Sequence, residues 1–371
     1  MSGQIPAVIV GSKCVEWYSC MIQSDFEKAT VLKHELKGMI QEMEPDDKVI
    51  AYYNLLLFRY NLLIQTPQSN ELIQEQGLEH SETEPYLKYM YYFLKGQYEF
   101  YEERYTSAVR LYGQAEKLLD QVSDHYERAE FYMRLGNGYY RINQFTFAVS
   151  YLNQAITIFK TDKSYRNKEL NGYLLLAAID SELGNFERAE ARYIKALIEA
   201  QDYPKVHSLI LRSLGLNRVR QNKQGEAQSY FEQALKTGNH EHTVVGNKTK
   251  ADLAFVHLRL DDIGSAMPLL VEVDRWLERH DNVEYKAKRL IYHHLYIERT
   301  HGQINEEKIN EGINQLISHE LYFDASEMAE ELSRYYEEKE QLGQALTYAK
   351  LALQMNTKQN QLGSVDIEKS K

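Results

Sequence analysis

The chain has 371 residues, 43% hydrophobic and 26% charged, with 54 acidic against 43 basic side chains. That size accommodates two domains and excludes a single small module. The formal net charge of −11 argues against phosphate-backbone binding by the surface as a whole, because such affinity comes from clustered Lys and Arg releasing counterions.

Six prolines and 19 glycines are few and 29 tyrosines many, a balance that disfavours disorder and loop-rich β folds and points to an all-α chain. At the N-terminus the apolar run from Ile5 to Val10 is too short for a signal-peptide core. No other stretch approaches about 20 apolar residues, so the expected location is cytoplasmic. Cys14 and Cys20 lie six apart in one predicted helix, on different faces, and are expected to be free thiols.

Three helices are predicted first: Val10 to Ile22, Phe26 to Met43 behind the cap Ser24-Asp25, and Asp47 to Ile64. Together they make a three-helix unit over residues 1–65. The acids Glu42, Glu44, Asp46 and Asp47 sit at the turn into the third helix. There they either complement the helix dipole or form a docking edge for a partner. Residues 66–84 are polar, acidic and without aromatics, and are expected to be a linker and domain boundary. Prolines 6, 45, 67, 85, 204 and 268 are expected at helix starts or connections.

From Pro85 the sequence repeats. Ala108, Ala148, Ala189, Ala227, Ala266 and Ala345 each open a second helix, about 40 residues apart, with a degenerate unit from Tyr285 to Ile317 filling the last, doubled interval. Twelve residues before each alanine stands Gly96, Gly136, Ala177, Gly215, Ala254 or Ser333, a small residue that lets the two helices of a hairpin approach. The spacing resembles tetratricopeptide repeats with a lengthened period. Seven or so units over residues 85–360 are expected to stack into a right-handed superhelix with a concave groove, followed by a frayed tail at 361–371.

No Gly-rich phosphate loop, GxSxG, HExxH or CxxC occurs, so the common enzyme signatures are missing. His240-Glu241-His242 and His293-His294 have too few partners at ligand spacing to define a metal site and read as surface histidines. No metal and no cofactor is expected. Most members of the aromatic pairs Tyr91-Tyr92, Tyr139-Tyr140 and Tyr335-Tyr336 are expected in helix-pair contacts.

The stretches CVEWYSCMIQSDFEKA (14–29), EMEPDDKVIAYYNLLLFRYNLLI (42–64) and FYMRLGNGYYRINQFTFAVSYLNQAITIFK (131–160), in that order, resemble the Rap proteins of bacilli over nearly the whole chain. The resemblance implies a cytosolic regulator of two-component signalling, acting in sporulation or competence. Its front bundle engages a response regulator, and a short secreted quorum-sensing peptide of the Phr type, bound in the repeats, releases that partner. Nucleic acid and membrane are not implied as direct partners.

In phosphatase members of that family a glutamine precedes the third helix. Here Glu44-Pro45-Asp46-Asp47 occupies that stretch, with Asp47 at the glutamine position, so no catalytic residue is assigned. A carboxylate accepts hydrogen bonds but donates none, and two like charges about 4 Å apart repel by about 4 kcal/mol at an effective dielectric near 20. Sequestration of a response regulator is therefore the leading expectation. An aspartyl-phosphate phosphatase, with the carboxylate as a base for water, and a repeat scaffold for an unrelated partner are the alternatives. Asp46, Asp47, Ile50 and Phe58 are the expected partner-binding residues, although core packing explains Ile50 and Phe58 equally well.

Counting from the small-residue anchors, the peptide-facing candidates on first helices are Asn137, Tyr140 and Arg141; Asn171, Ser181 and Glu182; and Arg212, Ser213 and Arg220. Asn137, Tyr140, Asn171, Glu182, Arg212 and Ser213 are the leading six. By the resemblance, Glu182 pairs with a basic side chain of the peptide. Ser213 replaces an asparagine that clamps the peptide backbone.

Overall fold

The computed structural model describes residues 4–64, 84–298 and 304–362. The expected linker, apart from Glu84, and all but the start of the expected tail lie outside the described residues. Those described form seventeen α-helices; their only pairing of β type is an isolated bridge between Ile5 and Met43. None of the helices is long and apolar enough to cross a membrane.

Helices α1 (Ala7–Gln23), α2 (Phe26–Glu42) and α3 (Asp47–Leu63) are the predicted trio, within three residues at each end. Each boundary has a local cause. The Asp25 carboxylate accepts from Lys28 N–H, and Asp46 accepts from Lys48 and Val49 N–H, meeting the orphan donors of α2 and α3. Helix α1 ends on Ser24 at φ 66°.

The hairpins that follow pair α4 (Pro85–Tyr101) with α5 (Tyr105–Glu116), α6 (His125–Arg141) with α7 (Phe145–Phe159), and α8 (Arg166–Glu182) with α9 (Phe186–Glu199). Next come α10 (Pro204–Arg220) with α11 (Gln224–Leu235), and α12 (Val244–Arg259) with α13 (Ile263–Arg279). Helix α14 (Val283–Tyr292) runs into a π turn at His293–Ile297; α15 (Glu306–Ser318), α16 (Tyr322–Glu338) and α17 (Leu342–Leu362) complete the described chain. The residues fall into two compact units, 1–175 and 176–371. The front bundle therefore belongs to one body with the first hairpins.

The small-residue register is what closes the hairpins. A Cβ on Gly96 would lie 2.6 Å from the Tyr112 ring, on Gly136 3.0 Å from Leu152, and on Gly215 2.5 Å from the Phe231 ring. In each case the large residue stands four after the anchor alanine, so one helix supplies the gap and its partner the filler. A second register runs beside it. Glu103, Asn143, Gly184, Asn222, Asp261 and Glu340, each five before an anchor alanine, all take the left-handed conformation, with φ between 56° and 77°. The next N–H then reaches back five residues to a carbonyl, as from Gln144 to Tyr139 at 2.8 Å and from Lys223 to Arg218 at 2.9 Å, capping the first helix of the hairpin.

One proline departs from expectation. Pro268 is inside α13 rather than at its start, because Asp262 caps the helix by accepting from Ser265 N–H at 3.0 Å. Proline removes the bond to the carbonyl four residues back, here Gly264, and both residues are exposed, so that carbonyl is open to solvent.

Candidate functional site

The turn between α2 and α3 is pinned before it is decorated. Ile5 N–H donates to Glu42 O and Glu44 N–H to Ile5 O, both at 2.9 Å, and Ala7 N–H donates to the Glu44 carboxylate at 2.9 Å. With Asp46 used as the cap, Asp47 is left exposed on the first turn of α3. Lys48 beside it pairs with Glu84 at 2.9 Å. Ile50 is 37% exposed on the same helix, whereas Phe58 is 2% exposed and meets the Tyr98 ring at 6.0 Å. Of the expected partner-binding residues, Asp47 and Ile50 are exposed and Asp46 is half-buried as the cap; Phe58 is instead a core residue because its side of α3 packs on α4.

Behind that edge lies a buried charge cluster. Arg59, wholly buried, donates to Tyr18 Oη at 2.9 Å and to Glu130 at 3.1 Å, while Arg134 and Lys168 reach the same carboxylate at 3.0 and 2.8 Å. Burial would raise the Glu130 pKa, but the charges of Lys168, Arg134 and Arg59 outweigh it and hold the carboxyl well below the usual range. Burial pulls Lys168 down to about 8. One helical turn away from Glu130, burial pushes Glu127 up to about 7, against the opposing effects of the Tyr86 hydroxyl and Arg59. Helices α3, α6 and α8 are thus joined by ion pairs inside the first unit.

Glu127 gives this unit a pH dependence. A carboxyl whose folded pKa is raised stabilises the fold fully below its unfolded value, near 4.5, and that stability is lost as pH rises through about 7. Between pH 4.5 and 7.5 the wild-type chain is expected to lose roughly 3 kcal/mol relative to Glu127→Gln. Urea unfolding at pH 5 and pH 8 measures it; parallel pH profiles for the two chains would refute the assignment.

The six expected peptide contacts divide between the units. In the first, Asn137, Tyr140 and Asn171 are each half-buried on first helices; Asn171 is partly committed, donating to Asn167 at 2.9 Å. In the second, Glu182, Arg212 and Ser213 are also half-buried. Glu182, expected to await a basic peptide side chain, is already 3.4 Å from Arg220. Arg220 also donates to Ser181 at 3.2 Å, lies 3.3 Å from Glu327, and sits over the Phe323 ring. Arg212 is likewise engaged, with Asp252 at 2.6 Å and Tyr285 Oη at 3.0 Å.

These are parts of one seam in the second unit. Arg259 pairs with Glu331 at 2.7 Å, and Lys288 with Glu284 at 2.8 Å and Asp324 at 2.6 Å. Every one of these residues is on α8, α10, α12, α14 or α16, each the first helix of its hairpin. A ligand entering this face exchanges internal ion pairs for its own, which favours charged and polar ligands that reproduce them.

Two of the histidines expected at the surface, His240 and His294, are buried. His240 is 3% exposed, held between Ser208 Oγ at 3.2 Å and Thr249 Oγ1 at 2.8 Å, and burial, aided by Arg212, pulls it down to about 4. It is a core residue, not a surface one. His293 and His294 do find a third partner, Glu298. Glu298 is not legible beside them in the sequence because π-turn spacing is absent from the usual ligand motifs.

Residues 4–65 match the family model described as response regulator aspartate phosphatase H, N terminal. The regulatory protein RapG of Bacillus subtilis (strain 168) is 26% identical over 349 residues, covering 93% of this chain and 95% of that protein. The chain belongs to the Rap family. A Rap protein solved in complex with competence and sporulation factor has the same fold, with a TM-score of 0.87 at 21% identity, covering 96% of this chain and 100% of that one. A Rhodococcus hoagii protein named type II methyltransferase M.CeqI is 41% identical over 369 residues, 98% of this chain and 70% of that protein. The methyltransferase name is that relative's; the aligned stretch is the helical chain described above, and the Rap-type bundle and hairpins are what this chain contributes to the match.

Proposed function

We propose that this Rap-family chain is a peptide-regulated binding protein of two-component signalling that sequesters a response regulator at the α2–α3 edge. The observation that carries the reading is Asp47: exposed, on a turn fixed by the Asp46 cap, at the position where the resemblance implies a glutamine in phosphatase members. A carboxylate there repels an aspartyl phosphate and cannot donate a hydrogen bond to it. It remains suited to accepting from Lys, Arg or backbone N–H of a docked protein.

Release is assigned to a short signalling peptide on the first helices. The complex of a Rap protein with competence and sporulation factor supports this, as does that of the plasmid pLS20 Rap conjugation gene regulator with its Phr* peptide. Asn137 has a half-buried carboxamide suited to a peptide backbone, and Arg212 and Glu182 sit in ion pairs that a peptide's charged groups would enter.

The test is to mix the chain with a phosphorylated sporulation-relay response regulator and follow both complex formation and phosphate release. Complex formation with no acceleration of phosphate release is expected, with Asp47→Gln gaining hydrolysis. Rapid hydrolysis by the natural sequence would establish the phosphatase reading instead, and failure to bind any response regulator or short peptide would leave a scaffold for another partner.

A further inference from the structure

The π turn at His293–Ile297 gathers two imidazoles and a carboxylate into one locus. In an α-helix, residues four apart share a face but residues five apart diverge around the axis. Here Glu298 N–H donates to His293 O at 2.9 Å, an i→i+5 bond that folds Glu298 back beneath His293 while keeping it beside His294. As a result one oxygen, Glu298 Oε2, lies 3.0 Å from His293 Nε2 and 3.4 Å from His294 Nδ1. Two donors on one tetrahedral ion with bonds of about 2.0–2.1 Å stand about 3.3 Å apart.

The turn is held from both sides. Tyr292 stacks on Phe255 with centroids 4.1 Å apart, Tyr296 stacks on Tyr292 and donates to Glu331 at 2.6 Å, and Leu295 is fully buried. The ligands are therefore placed by packing and not by chance meeting of surface side chains. His294 Nδ1 is buried with no hydrogen bond, a desolvated polar atom that a cation would satisfy. His293 borders a shallow cleft of about 570 Å³ together with Asp274, Lys286 and Arg289, which gives entry from solvent.

The geometry points to a divalent metal site formed by His293, His294 and Glu298, with zinc as the ion its two imidazoles and one carboxylate suit. Three protein ligands leave a coordination position open to water or to a donor from a partner, and the bound ion clamps the π turn. Neither the peptide nor the response regulator is needed for this site, so it stands or falls separately from the proposed function.

Calorimetric titration of the full-length chain with zinc chloride tests it, with cobalt(II) absorption as a second readout. One site is expected, weakened at least tenfold in Glu298→Ala and in His294→Ala and unchanged in His242→Ala. Glu298 is 61% exposed, so its variant keeps the fold even where loss of the buried His294 disturbs it. Equal zinc affinity in the natural chain and in Glu298→Ala, or no binding by the natural chain, would overturn the assignment.

Discussion

Replacing Glu130 by Gln is expected to destabilise the first unit by about 3–5 kcal/mol near pH 6, the usual cost of removing one partner from a buried ion pair. The geometry makes the upper end the reasonable target. Glu130 is the carboxylate that Arg59, Arg134 and Lys168 share, at 3.1, 3.0 and 2.8 Å. Without it the buried Arg59 and Lys168 and the half-buried Arg134 face one another as cations, and a glutamine offers a single acceptor oxygen in return. The effect should shrink at pH 9. Lys168 is already pulled down to about 8 by burial with Glu130 present; losing that anion lowers it further, so the amine sheds its charge and the repulsion with it. Adding Lys168→Met to Glu130→Gln should recover part of the loss at pH 6 and almost none at pH 9. Chemical unfolding of the three chains at both pH values gives the comparison. A Glu130→Gln chain within 1 kcal/mol of the natural one at pH 6 would mean that the cluster is not a stabilising unit.

Gly246→Ala should cost about 3 kcal/mol or more, at the top of the range for overpacking. The added Cβ would stand 1.9 Å from the His240 carbonyl oxygen and 2.8 Å from its carbon, both backbone atoms with no rotamer to yield. Relief requires the His240 turn to lift. That breaks the bonds of His240 to Ser208 and Thr249, and the contact of Thr243 Oγ1, which donates to His240 O at 2.8 Å and accepts from Gly246 N–H at 2.9 Å. Thermal unfolding measures the loss, and proton NMR of His240 reports its site: the ring, held near a pKa of 4 in the natural chain, should return towards the ordinary histidine value. Gly225→Ala is the control. Nothing lies within 4 Å of its added methyl, and in helix α11 the change should be mildly stabilising, by up to about 1 kcal/mol. Equal stability of Gly246→Ala and Gly225→Ala would contradict the packing described.

Sequence pattern reached far in some directions and not in others, for physical reasons. Helix limits and the twelve-residue spacing from Gly96 to Ala108 or Gly215 to Ala227 were legible because repetition averages out local ambiguity. The left-handed caps were hidden, since Glu103 and Glu340 occupy a conformation that composition associates with Gly or Asn. Buried charge was hidden more deeply. Arg59 sits among Leu55, Leu56, Phe58, Tyr60 and Leu62, and its isolation in an apolar run was the available signal, but Glu130, Lys168, Arg212 and Asp252 follow no common offset from the repeat anchors. For the same reason the sequence placed Glu182 and Arg212 on a ligand-facing surface without seeing that Arg220 and Asp252 already engage them. Phe58 illustrates the converse limit: an apolar residue on a helix serves a core or a contact surface equally well until its neighbours are known.

The pairing of a glycine on one helix with a large side chain sixteen residues later on the next has a consequence for how such arrays can be recombined. Gly96 and Tyr112, or Gly215 and Phe231, are two halves of one fitted joint. A crossover inside a hairpin would inherit the notch from one parent and the peg from another, leaving a void or a collision. Chimeras joined between hairpins carry both halves together, so exchange of whole repeats among relatives should yield folded proteins far more often than exchange of single helices.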